Sequence, residues 1–308
     1  MKKRDFLCLS DLTLAEARQI FTLAAQLKAE PKGTRASELA GRSVAIVLEK
    51  ASTRTRVSFE VGVSQLGAHP VVIGVQGSQL GRGEPIRDTA RVLERYCDAI
   101  VYRTYATSRL TEMAGAKVPV INALSDDGHP VQVLCDVFTV EETLLRRGDA
   151  SGIAGKSVAF VGDCSSNMAR SWLEAATIFG FDLVLAGPPE YMPSDAEVAR
   201  AGSRVKKVHE PDGAIAGALV VNTDVWTSMG QEEESDLRLQ ALSGWTVNAA
   251  MLSHAAKDAM VLHCLPAHRG EEIDEATLEG PQSVVWDQAE NRLHVQKALL
   301  LWLLTKSG

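Results

Sequence analysis

Residues 44–75 read VAIVLEKASTRTRVSFEVGVSQLGAHPVVIGV, and this stretch decides the fold. It opens with the short apolar run VAIVL (44–48) and closes with PVVIGV (70–75). Between them Phe59, Val63 and Leu66 recur at helical spacing, which predicts a helix from about residue 53. Strand, helix and strand within some thirty residues make a βαβ unit, the building block of a parallel sheet covered by helices. The mouth of that helix holds Ser52, Thr53, Arg54, Thr55 and Arg56. One helix start needs a single hydroxyl as its cap. On these residues alone two readings stay open, an N-cap followed by surface arginines, or a phosphate site made of free N–H groups, the positive end of the helix dipole and the added arginines. The glycine-lysine pattern of a nucleotide P-loop is absent.

Outward from this stretch the alternation continues. A helical segment is expected from about Ile86 to Tyr96, followed by AIVY (99–102). The polar, turn-rich RRGDASGIAGKS (146–157) then breaks the chain, and VAFVG, DLVLAG, ALVVN and MVLHCL follow as strand-like runs. The fold class is therefore α/β with two domains, each a parallel β-sheet flanked by helices. The expected boundaries are 1–136 and 150–289. The last segment, ENRLHVQKALLLWLL (290–304), reads as a helix that packs back on the first domain from about residue 290 to 308. The acidic QEEESDLRL (231–239) reads as a solvated, mobile loop.

The 308 residues suit two domains, and hydrophobic residues at 45% with charged residues at 23% supply an ordinary globular core. A formal charge of -7 argues against a general nucleic-acid binder and leaves an anion site to be built locally. Five cysteines, odd in number and without a C-x-x-C pair, indicate neither a disulfide framework nor a zinc site. No signal-peptide core follows MKKR, and the longest apolar run, residues 298–304, is too short to span a bilayer. A soluble cytoplasmic protein without membrane attachment is expected.

Ser-Thr-Arg-Thr-Arg at 52–56, followed by Phe59-Glu60, resembles the carbamoyl phosphate motif of the aspartate and ornithine carbamoyltransferase family. The resemblance extends in order through YRT (102–104), HPVQ (129–132), DVWTSMG (224–230), HCLP (263–266) and AENRLH (289–294). The S-M-G and H-C-L-P motifs are similar to the ornithine branch.

The resemblance implies attack by the δ-amine of ornithine on the carbonyl carbon of carbamoyl phosphate, giving citrulline and phosphate, with no cofactor and no metal. Ser52, Thr53, Arg54 and Thr55 would hold the phosphate, and Arg103 would bridge phosphate and carbonyl oxygen. His129 would donate to that oxygen, with Arg292 near it. Gln132 and the Leu265 carbonyl would take the carbamoyl NH2. Cys264 would lie near the δ-amine, and the Leu265–Pro266 bond would be cis. Asn167, Asp224, Ser228 and Met229 would bind the α-groups of ornithine. Gln79 would reach a neighbouring subunit's phosphate in a homotrimer with active sites at its interfaces.

Two positions depart from the family's pattern. Ser166 stands where the ornithine branch carries the first of two asparagines, and Gly128 replaces a bulkier residue before His129. A sister enzyme acting on putrescine, N-acylated ornithine or aspartate is the nearest alternative. A dinucleotide-binding oxidoreductase is suggested by KSVAFVGD (156–163), but the G-x-G-x-x-G fingerprint is missing. A non-catalytic binding protein on this fold would have lost some of the polar motifs that this chain retains.

Overall fold

The computed structural model describes residues 3–75, 78–227 and 232–305. The chain divides into two compact units, Met1–Cys135 with Glu290–Gly308, and Asp136–Ala289. The first holds strands β1 (Ser43–Leu48), β2 (His69–Gly74), β3 (Ala99–Arg103) and β4 (Val120–Leu124). They form an all-parallel sheet in the order β2-β1-β3-β4. Helices α1 (Leu14–Ala29), α2 (Thr53–Gln65), α3 (Ile86–Leu93) and α4 (Thr107–Met113) belong to it, and α5 (Pro130–Arg146) starts in it. β3 and β4 are buried along their whole length, as parallel strands covered on both faces should be.

The second unit holds β5 (Ser157–Val161), β6 (Asp182–Ala186), β7 (Val205–Val208), β8 (Val220–Thr223) and β9 (Met260–His263). These are parallel throughout, in the order β7-β6-β5-β8-β9. Its helices are α6 (Asn167–Phe179), α7 (Asp195–Ala201), α8 (Ser235–Leu242), α9 (Ala249–Leu252) and α10 (Glu275–Leu278). The predicted α/β class is thus the observed one.

The last helix, α11 (Val285–Thr305), packs on the first unit as expected. Trp302 Nε1 donates to Gln19 Oε1 at 3.1 Å, Lys297 to Gln65 Oε1 at 2.8 Å, and Arg42 to the Leu304 carbonyl at 3.1 Å. Gly62 shows how near α2 lies: a Cβ there would come within 2.9 Å of Lys297 Cγ. No helix among the described residues is long and apolar enough to cross a membrane.

The acidic stretch after residue 231 differs from its reading as a solvated loop. Glu232–Glu234 form a 3-10 turn and Ser235 onward is α8. Arg238 and Leu242, one turn apart, are buried and hold it down, so the stretch has a packed face despite its charge.

In both sheets strand order reverses beside the first strand, between β1 and β3 and between β5 and β8. Open α/β sheets bind ligands outside the carboxyl ends of their strands at such points.

Candidate active site

In the first unit, Ser52 ends the loop after β1 and caps α2. Its Oγ accepts from the Thr55 amide at 3.2 Å and donates to Thr55 Oγ1 at 3.1 Å. Thr53 and Arg54 occupy the first helical turn, where amide donors are open to a ligand. The motif's two arginines part company. Arg54 is half-buried, whereas Arg56 is exposed and pairs with Glu60 one turn on at 3.4 Å.

Arg292, from α11, is buried behind this turn. Its Nη2 donates to Thr55 Oγ1 at 3.1 Å and its Nη1 to Gln132 Oε1 at 3.0 Å. With its oxygen turned toward Arg292, the Gln296 amide accepts from Nε at 3.2 Å and from Nη2 at 3.0 Å. These acceptors are neutral, so the guanidinium's charge is not cancelled by them.

Arg103 is the last residue of β3 and is buried. The residues either side of it are tied to Glu49, whose carboxylate accepts from Tyr102 Oη at 2.8 Å, from Thr104 Oγ1 and from Arg109. The Glu49 amide donates to the Arg103 carbonyl at 2.8 Å. Side chains alternate along a strand, so anchoring Tyr102 and Thr104 on one face leaves Arg103 on the other. Arg109 in turn holds Glu49 below the ordinary carboxylate range despite burial, so the anchor stays ionised.

His129 precedes α5, is buried, and has its pKa lowered well below the ordinary histidine value. Burial is the largest cause, followed by the charges of Arg292, Arg103 and Arg54. The imidazole is therefore neutral near pH 7, suited to donating a hydrogen bond without giving up its proton. The Gly128 carbonyl accepts from the Ser125 amide at 2.8 Å. Gln79 is exposed before a 3-10 turn.

In the second unit, Asp224 follows β8 and Cys264 follows β9, and Cys264 Sγ donates to Asp224 Oδ1 at 3.0 Å. Burial raises the Asp224 carboxyl above its ordinary value, opposed by His263 and by the thiol. The Leu265–Pro266 bond is cis and Leu265 has φ 58°. Sequence reasoning missed what holds this turn. His263 Nδ1 accepts from the Leu265 amide at 2.9 Å, which leaves Nε2 to donate to the buried Glu272 Oε1 at 3.0 Å. That same oxygen accepts from the His268 amide at 2.7 Å. Asp224, His263 and Cys264 offer ligand atoms within 4.8 Å of one another, but both His263 nitrogens are already engaged and a metal would have to break one bond.

Asn167 begins α6, capped by Ser166, whose Oγ accepts from the Ala169 amide at 3.3 Å. The departure at Ser166 thus supplies a good N-cap. Gly162 needs no dinucleotide to explain it. Its φ is 108° and a Cβ there would lie 3.1 Å from Trp226 Nε1. Ser228 and Met229 lie outside the described residues.

Known proteins were compared with this chain. A profile of the aspartate/ornithine carbamoyltransferase carbamoyl-P binding domain matches residues 4–142, and one of the family's Asp/Orn binding domain matches 154–303. An ornithine carbamoyltransferase of Sorangium cellulosum is 68% identical over 99% of this chain and 98% of its own. One from Geobacter sulfurreducens is 51% identical over 98% and 99%. The structure of ornithine carbamoyltransferase from Pyrococcus furiosus superposes with a TM-score of 0.88 at 43% identity, covering 99% of this chain and 98% of that one. The chain belongs to the aspartate/ornithine carbamoyltransferase family.

Proposed function

We propose that the protein transfers the carbamoyl group of carbamoyl phosphate to the δ-amine of L-ornithine, giving L-citrulline and phosphate in arginine metabolism. The observation that supports this most is the set of buried, neutral His129, buried Arg103 and Arg292 and half-buried Arg54 at a helix mouth capped by Ser52. Such a set suits a dianion bearing a carbonyl oxygen that becomes negative as the reaction proceeds.

Ser52, Thr53, Arg54 and Thr55 hold the phosphate, and Arg103 spans phosphate and carbonyl oxygen. The neutral His129 and Arg292 donate to that oxygen as the tetrahedral intermediate forms, the electrostatic contribution that dominates acyl-type transfer. Gln132 and the Leu265 carbonyl accept from the carbamoyl NH2. Asp224 and Asn167, with Ser228 and Met229, take the α-groups of ornithine, and Cys264 lies beside the δ-amine. As the C–N bond forms and the C–O bond breaks with its electron pair leaving on phosphate, the amine gives up its proton to the Asp224 carboxylate, to which the Cys264 thiol donates. Phosphate is a good leaving group, so no enzyme nucleophile is needed and positioning does much of the work. We place the enzyme in the cytoplasm as a homotrimer in which Gln79, exposed in the single chain, completes a neighbour's phosphate site.

The test is a ureido-product assay with carbamoyl phosphate and, in parallel, ornithine, N-acetylornithine, putrescine and aspartate. Product from ornithine alone is expected, with kcat/KM falling about 10²-fold in Arg54→Ala as one or two charge-assisted hydrogen bonds are lost. Product from another acceptor instead overturns the ornithine assignment.

A second expectation concerns pH. A δ-amine with a lysine-like pKa is neutral in only about one molecule in 10³ at pH 7, and only the neutral amine attacks. kcat/KM for ornithine should rise by up to about tenfold per pH unit from pH 6 toward 9. A flat profile contradicts the requirement for the neutral amine.

A further inference from the structure

Arg238 has no part in the reaction as described above, yet it is buried and its contacts are unusual. Its Nε donates to the Trp226 carbonyl at 2.6 Å, and its Nη2 forms an ion pair with Asp163 Oδ2. The guanidinium lies 4.7 Å from the centre of the Tyr191 ring, and Glu234 stands 3.6 Å from Nη1. Asp163 Oδ1 is occupied separately, accepting from the Ser165 amide at 3.0 Å and from Ser165 Oγ at 2.6 Å.

These partners come from three strand-end loops. Asp163 follows β5, three residues before the cap of α6 and four before Asn167. Tyr191 follows β6. Trp226 lies two residues beyond Asp224 in the loop after β8. One guanidinium thus fastens together the loop that delivers Asn167 and the loop that delivers Asp224.

We propose that Arg238, held by Asp163, is a positioning residue for the acceptor side, setting the placement of Asn167 relative to Asp224 and hence affinity for the α-amino and α-carboxylate groups of ornithine. This rests on the assignment of those two residues as α-group ligands.

Two features favour positioning over packing alone. A buried ion pair adds little stability over apolar side chains of the same volume, so stability by itself does not call for one here. A planar guanidinium does offer donors in fixed, divergent directions, and here they point to different loops. The loops also meet without slack. Trp226 packs against Gly162 so closely that a Cβ would touch its indole, and a Cβ on Gly187 would strike the Gly162 carbonyl at 2.2 Å. A displaced Trp226 carbonyl therefore moves the short stretch back to Asp224.

Steady-state kinetics of the full chain test this, with Arg238→Lys, which keeps a charge opposite Asp163 but cannot serve both loops in the same planar geometry. The KM for ornithine is expected to rise about 10- to 100-fold, the change produced by losing one charge-assisted hydrogen bond. The inhibition constant of L-2-aminopentanoate, which has ornithine's α-groups without the δ-amine, should rise by the same factor. The KM for carbamoyl phosphate should not change, and kcat should fall by no more than about threefold. The double variant Asp163→Leu/Arg238→Met restores apolar packing without the clamp and should show the same two increases. A parent chain that makes no citrulline defeats the assignment of the site itself. A parent that makes citrulline, beside variants whose ornithine KM and aminopentanoate constant are unchanged, defeats the positioning role alone. Recovery of both constants in the double variant would likewise assign Arg238 to packing and overturn the proposal.

Discussion

Replacing Arg292 with methionine is expected to lower kcat/KM for carbamoyl phosphate by about 10³-fold, since it removes charge-assisted donors from a buried site. The loss comes from three directions. The guanidinium orients Thr55 through Nη2 and Gln132 through Nη1, and it contributes one of the positive charges around His129. Methionine fills much of the same space, and Thr55, Gln132 and Gln296, which each lose a donor, are neutral. A second readout separates this from general damage. After burial, Arg292 is the largest cause of the lowered His129 pKa, so removing it should move the imidazole's titration up toward the ordinary value. An Arg292→Met chain with full activity, or with an unmoved His129 resonance, would contradict the placement of Arg292 beside the reacting carbonyl.

His129→Leu should lower kcat by about 10² to 10³, the range for removing one donor to a developing oxyanion. Its pH profile should keep the same rise from pH 6 to 9, because the native imidazole is already neutral across that range and contributes no limb to lose. The stability consequence has a definite sign. The folded-state pKa of His129 lies below its unfolded value of about 6.5, so as pH falls through that value the unfolded chain takes up the proton first. Native stability therefore declines below about pH 6.5, and His129→Leu should remove that part of the decline. Chemical denaturation at pH 5 and pH 8 measures it. An equal pH dependence in parent and variant would mean that His129 is charged in the folded state.

Seven of the nine strands among the described residues were legible because buried parallel strands write themselves as short apolar runs, whereas β4 went unread and so did β7, whose four residues include two lysines. The helix mouth at residues 52–56 was legible because capping hydroxyls and arginines crowd together before a periodic apolar face. The supports of the site were not. Glu49 and Arg109 are sixty residues apart, and Asp163 and Arg238 seventy-five, so no local pattern announces either pair. His263 and Glu272 are nearer, yet nothing in the spacing of a strand-end histidine and a loop glutamate says that they meet in the core. The acidic stretch misled for a different reason. Its leading glutamates set the impression of a solvated loop, while Arg238, Leu239 and Leu242 already held the helical spacing of a packed face. Arg56 stood beside Arg54 in the motif, but two positions along a helix point away from each other, and the structure leaves it at the surface.

The most direct measurement is of the bond that is made. Carbamoyl phosphate labelled with ¹³C at its carbonyl and ornithine labelled with ¹⁵N at the δ-position are mixed with the purified chain and followed by NMR. Predicted is a ureido carbon resonance split by one-bond coupling to the δ-nitrogen, appearing together with inorganic phosphate and strongly slowed in Arg292→Met. Phosphate released without that coupling, or coupling that forms only with another amine acceptor, would contradict carbamoyl transfer to ornithine.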